Sequence, residues 1–210
     1  MEALFYPILT VIYFILFIQI FRYSRESEYW GTSWLLFLIL CLFFRYFSLS
    51  LGTGIGFNEM LEALHIFAYV VYVVLIPLLV FVALDIVRRV HVDWGERLST
   101  KAIFYSYFLI AVIFGVYTEF LRSDSAKIIL DPIPATLFLA LLPLFIVGWA
   151  LWIQQRWPFM LLGMVTGFCG IGIGRLLNNE WVYAICECLC IWILVLTEKR
   201  LITKEFHPVP

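Results

Sequence analysis

Charge is scarce in this sequence: Lys and Arg number 14, Asp and Glu 15, and together they are 14% of 210 residues with a formal net charge of −1. No run of lysine or arginine is long enough for a polybasic arm, which excludes nucleic acid as a partner. Long polar connections are also missing, so no separate soluble domain is expected. The opening "MEALFYPILT" lacks a basic n-region and a small-residue cleavage site, and residue 1 is expected to belong to the mature chain.

Several chemical motifs are absent or incomplete. The seventh apolar span holds no lysine, so a retinal Schiff base is not available there. Glu62 and His65 make one Glu-x-x-His, but the second copy that a di-iron centre needs is missing. His65 and His91 fall about 39 Å apart along one helix axis, which excludes bis-histidine haem. There is no Gly-x-Ser-x-Gly and no His-x-x-x-His, and Ser48, Ser106 and Thr166 have no neighbouring base. "CECLC" puts Cys186 and Cys190 on one face and Cys188 off it; with Cys41 and Cys169, these thiols lie in apolar spans and read as small packing residues. No catalytic residue, metal ligand or cofactor is assigned.

What is abundant is apolar surface: 64% of residues are hydrophobic and mean hydropathy is +0.99. Hydropathic spans lie near 3 to 21, 33 to 51, 58 to 87, 102 to 121, 133 to 153, 157 to 176 and 180 to 198. The expected fold is all-α, a polytopic bundle of seven transmembrane helices in one domain, 1–198, followed by a short cytoplasmic tail, 199–210. Asp131-Pro132 and Trp157-Pro158 read as helix starts, "SLGTGIGFN" reads as a turn, and Pro77 and Pro143 are expected to kink their spans.

Orientation follows from the basic residues near span ends. Arg22, Arg25, Arg88, Arg89, Arg97, Lys101, Arg156, Lys199, Arg200 and Lys204 fall on one side, against Arg45, Arg122, Lys127 and Arg175 on the other. This asymmetry places the N-terminus outside and the C-terminus in the cytoplasm. Gly163, Gly167, Gly170 and Gly174 share a face of the sixth span, where another helix is expected to approach closely.

The remaining charges concentrate in the outer half. Asn58, Glu62, His65, Tyr69 and Tyr72 fall within an arc of about 80° on the third helix. In the seventh, Asn179, Tyr183, Cys186, Glu187 and Cys190 form a second stripe, and Arg45 lies near the middle of the second span. A charge at the centre of a spanning helix costs about 2.5 to 3.5 kcal/mol on the insertion scale, so Arg45 and Glu187 are expected to be paired, hydrated or used. The candidate ligand-binding residues are Arg45, Glu62, His65, Tyr69, Tyr183 and Glu187, lining an outward-facing pocket with Glu119, Arg122 and Arg175 at its rim. Arg45 is expected to meet Glu62 or Glu187, a pairing that would equally serve to lock helices together. The inner half reads as nearly free of ionisable groups, with Asp85 the chief exception.

Two stretches covering less than half of the chain, "RYSRESEYWGTSWLLFLIL" and "VLIPLLVFVALDIVRRV", resemble the seven-helix sensor module of bacterial histidine-kinase-type receptors. The tail that begins at Lys199 leaves no room for a kinase domain before Pro210. The resemblance therefore implies an outward ligand pocket and a signal passed to a separate partner, in a bacterial or archaeal cell membrane. The expected function is a non-enzymatic sensor for a small polar or anionic ligand, with the lipid bilayer and a partner membrane protein or second copy as neighbours. A transporter or channel, a structural subunit of a membrane complex, and a lipid-modifying enzyme are the alternatives.

Overall fold

A backbone surrounded by hydrocarbon must satisfy its own hydrogen bonds, and a sequence this apolar does so by forming helices. The computed structural model describes residues 2–27, 29–55, 59–92, 94–118, 135–177 and 179–206. Its helices are α1 (Glu2–Glu26), α2 (Trp30–Ile55), α3 (Glu59–Leu75), α4 (Leu79–Arg89), α5 (Leu98–Val116), α6 (Ala135–Gln155), α7 (Phe159–Leu177) and α8 (Glu180–Phe206). With α3 and α4 joined as one span, seven stretches are long and apolar enough to cross a bilayer. The chain reads as a multi-pass integral membrane protein.

The exposed surface agrees. Leu4, Val11, Ile103, Leu109, Ile113, Ile146 and Ile153 are each more than half exposed on outward helix faces. Such an apolar girth suits lipid contact rather than water. The core runs through Tyr13, Leu35, Ile39, Leu42, Ile76, Leu79, Val80, Leu141, Leu144 and Leu194, all at 2% exposure or less.

Local chemistry explains the boundaries. Pro77 has no N–H to continue the α3 ladder, and the chain tightens into a single 3₁₀ turn over Ile76–Leu78 before α4 resumes. Pro143 lies inside α6, whose helix is unbroken around it. Helix α4 closes in a Schellman motif: His91 adopts φ 51°, its N–H donates to the Arg88 carbonyl (3.1 Å), and the Val92 N–H donates to that of Val87 (3.4 Å). Helix α8 opens with Asn179, whose Oδ1 accepts from the N–H groups of Trp181 (3.0 Å) and Val182 (3.4 Å).

One expectation is corrected here. The stretch read as a turn is helical as far as Ile55, because near a membrane surface continuing the helix satisfies backbone groups that a loop would leave to scarce water. The first part of the expected tail, 199–206, is helical and continues α8. Asn58, Glu119, Arg122, Lys127, Asp131, Pro132 and His207 lie outside the described residues.

The glycine face of α7 meets its neighbours as expected. A Cβ on Gly163 would fall 2.8 Å from Ile193 on α8, one on Gly167 3.0 Å from Leu141 on α6, and one on Gly170 would overlap Cys186 on α8. Close approach of α7 to α6 and α8 holds the seventh span against the bundle.

Candidate functional site

Mid-bundle, α2, α3 and α8 each contribute polar side chains to one buried cluster. Arg45 and Tyr46 come from α2, Tyr69 and Tyr72 from α3, and Tyr183 and Glu187 from α8, and none is more than 5% exposed. Tyr183 and Glu187, four residues apart, share a helix face, and the Tyr183 hydroxyl donates to Glu187 Oε1 at 2.6 Å. Tyr72 donates to the same oxygen, and Tyr46 donates to Oε2 at 2.7 Å. A phenol has one proton, so with all three directed to Glu187 the 3.3 Å approach of the Tyr72 and Tyr183 oxygens is proximity imposed by the shared acceptor.

The guanidinium of Arg45 faces the rings of the same residues. Its Cζ lies 5.1 Å from the Tyr72 centroid, 5.7 Å from Tyr69 and 5.8 Å from Tyr46. The link between Arg45 and Glu187 thus runs through Tyr46 and Tyr72, which present ring faces to the cation and hydroxyls to the carboxylate. Ser48 extends the cluster toward the start of α3: its hydroxyl donates to the Arg45 carbonyl (2.7 Å) and lies 3.2 Å from His65 Nδ1. Of the six residues singled out in the sequence, four are gathered in this cluster, His65 is half-buried at its edge, and Glu62 is exposed one turn further along α3.

A second buried cluster occupies the arginine-rich end. Arg89 Nη1 donates to Glu198 Oε2 at 2.7 Å, and Nη2 lies 3.0 Å from Asp85 Oδ2, 2.7 Å from Thr32 Oγ1 and 3.0 Å from Ser27 Oγ. Thr32 donates to Glu198 (3.0 Å), and Arg89 Cζ stands 4.2 Å from the centroid of the Tyr29 ring. Gly31 donates its N–H to Asp85 Oδ2 (3.1 Å), and a Cβ there would press on the Asp85 side chain at 2.5 Å, so this contact requires glycine. The scarcity of ionisable groups expected for this half is therefore corrected: Arg89 is 7% exposed and Glu198 not exposed at all. Arg89 was counted among the basic residues at span ends, and Glu198 was not singled out. The available signal was periodicity, since Glu198 follows Glu187 by about three turns on nearly the same face of α8, and Tyr46 follows Thr32 by about four turns on a similar face of α2.

Between the clusters lies close apolar packing. Leu35, Leu38, Ile39 and Leu42 of α2, Val80 and Ala83 of α4, and Leu194 and Val195 of α8 are all at 3% exposure or less. Among the described residues no group of three or more His, Cys, Asp or Glu converges as a metal site, and the five cysteines are free thiols. No family model, no curated protein and no solved structure matches the chain.

Proposed function

We propose that the chain is a receptor- or sensor-like membrane protein, N-terminus outside, that takes a small polar or anionic ligand at the Arg45 cluster from the outer side and passes the change to a separate partner at the arginine-rich end. The observation that carries this reading is the pairing of the two clusters. Each joins α2, the α3–α4 span and α8, one through Tyr46, Tyr72 and Glu187 and the other through Thr32, Arg89 and Glu198. A ligand anion attracted by Arg45 would compete with Glu187 for the tyrosine hydroxyls and reposition three helices together, and rigid helices carry such a shift to their far ends. His65 and Tyr69 would line the approach, with Glu62 at its entrance.

Transport is the second reading, favoured by the polar groups at both ends. The apolar layer between them weighs against it, because a solute leaving the Arg45 cluster would cross about three turns of Leu, Ile and Val before reaching Arg89. The test is a screen of small carboxylates and phosphates for saturable binding to the purified chain, followed by uptake into sealed proteoliposomes. Binding weakened by Arg45→Leu, without uptake, is the expected result. Protein-dependent uptake abolished by that substitution would establish transport instead.

A further inference from the structure

A cavity of about 650 Å³ opens at the arginine-rich end between the start of α2, α4 and α5, lined by Tyr29, Trp30, Trp34, Asp85, Arg88 and Tyr105 among others. We propose that it binds a phospholipid whose head group is a phosphate-linked alkylammonium, as in choline or ethanolamine lipids. Three observations define that chemistry.

The first is a carboxylate that faces the cavity. The buried cluster behind the cavity wall holds two carboxylates, Asp85 and Glu198, and one guanidinium, Arg89. Asp85 is the member that reaches the cavity, and among the described residues the bonds it receives, from Gly31 and Arg89, all end on Oδ2. Oδ1 is left to meet a cation entering the cavity.

The second is the aromatic wall. Tyr29, Trp30, Trp34 and Tyr105 surround the space beside that carboxylate, and ring faces attract alkylammonium groups. Arg88, exposed on the same lining, supplies the complementary charge for a phosphate one linker length away.

The third distinguishes a lipid from a soluble head group. A neighbouring cavity of about 330 Å³ shares Tyr29, Trp30 and Trp34 and continues along α2 to Phe37, which is 49% exposed on the apolar face. An acyl chain leaving the head-group site has a continuous path there into hydrocarbon, with Trp30, 77% exposed, at the level where tryptophan belongs.

The experiment is native mass spectrometry of the full chain in detergent, titrated with phosphatidylcholine, phosphatidylethanolamine and phosphatidylglycerol of identical acyl chains, and with soluble phosphocholine and phosphoethanolamine. At least one ammonium lipid should bind about fivefold or more tightly than phosphatidylglycerol. Trp34→Leu and Arg88→Gln should each reduce that preference, while Trp192→Leu, on an exposed face of α8, should not. Arg88 is exposed, so its variant tests the site even where Trp34→Leu fails to fold. Soluble phosphocholine or phosphoethanolamine binding as tightly as the lipids would overturn the lipid assignment in favour of a free solute. Equal binding of all three lipids, or parental preference in Arg88→Gln, would overturn the site itself.

Discussion

Glu187 and Glu198 lie three turns apart on nearly the same face of α8, and each is the buried carboxylate of a different polar cluster. Glu187 is held by three tyrosine hydroxyls, whereas Glu198 is held by one arginine and one threonine. The difference in partners gives the two sites different responses to substitution.

Tyr46→Phe removes one charge-assisted hydrogen bond from Glu187 but keeps the ring, which stacks on Tyr13 at a centroid distance of 5.1 Å. A loss of about 1.5 to 3 kcal/mol is expected. Thermal unfolding in detergent should show a lower midpoint for Tyr46→Phe, and little change for Tyr105→Phe, whose ring is 55% exposed. Equal midpoints for Tyr46→Phe and the parent would mean that Glu187 is satisfied without it.

Arg89→Leu leaves Asp85 and Glu198 buried without their cation, a loss of about 3 to 5 kcal/mol. Adding Glu198→Leu should restore part of that stability, since an apolar pair in place of a buried ion pair is far less costly than a lone charge. A double-mutant cycle measures the coupling directly. Additive losses would show that Arg89 and Glu198 do not stabilise one another.

Gly170 and Gly172 are two residues apart on α7 and should behave oppositely toward leucine. Gly170 faces Cys186 at a distance that admits no Cβ, while Gly172 has nothing within 4 Å. Gly170→Leu should lower folded yield several-fold and Gly172→Leu should be tolerated, as read by detergent-solubilised monodisperse protein. Tolerance of both would show that α7 can back away from α8 at little cost.

The charge asymmetry fixes an expected orientation. Cysteines placed at Met60 and Glu96, both exposed and at opposite ends of the α3–α4 span, should react differently with an impermeant maleimide in intact cells. Met60→Cys should be labelled and Glu96→Cys should not, in a background where the native cysteines are replaced. Labelling of Glu96→Cys alone would invert the orientation.

Seven spans, the close-packed glycine face of α7 and the burial of Arg45 and Glu187 were legible in the sequence. Each depends on a local rule: a segment must be apolar to span, small to pack closely, and turned inward where it carries charge at mid-depth. The end of α2 was misread because glycines at Gly52 and Gly54 weaken a helix by only about 1 kcal/mol each relative to alanine, which backbone satisfaction near the membrane outweighs.

The sequence by itself determined that this chain forms apolar spans and that a few mid-span charges must face one another inside them. Only the tertiary structure decided which partners they meet. A charge near the end of a span has two destinations, the interface or the bundle interior, and residue type and position are the same for both. Arg88 and Arg89 are adjacent in sequence, yet Arg88 is exposed and Arg89 is enclosed by Asp85, Glu198 and Thr32. The roughly 100° rotation per helical residue separates them, and its direction is set by the packing of α4 against α2 and α6, which no single span encodes.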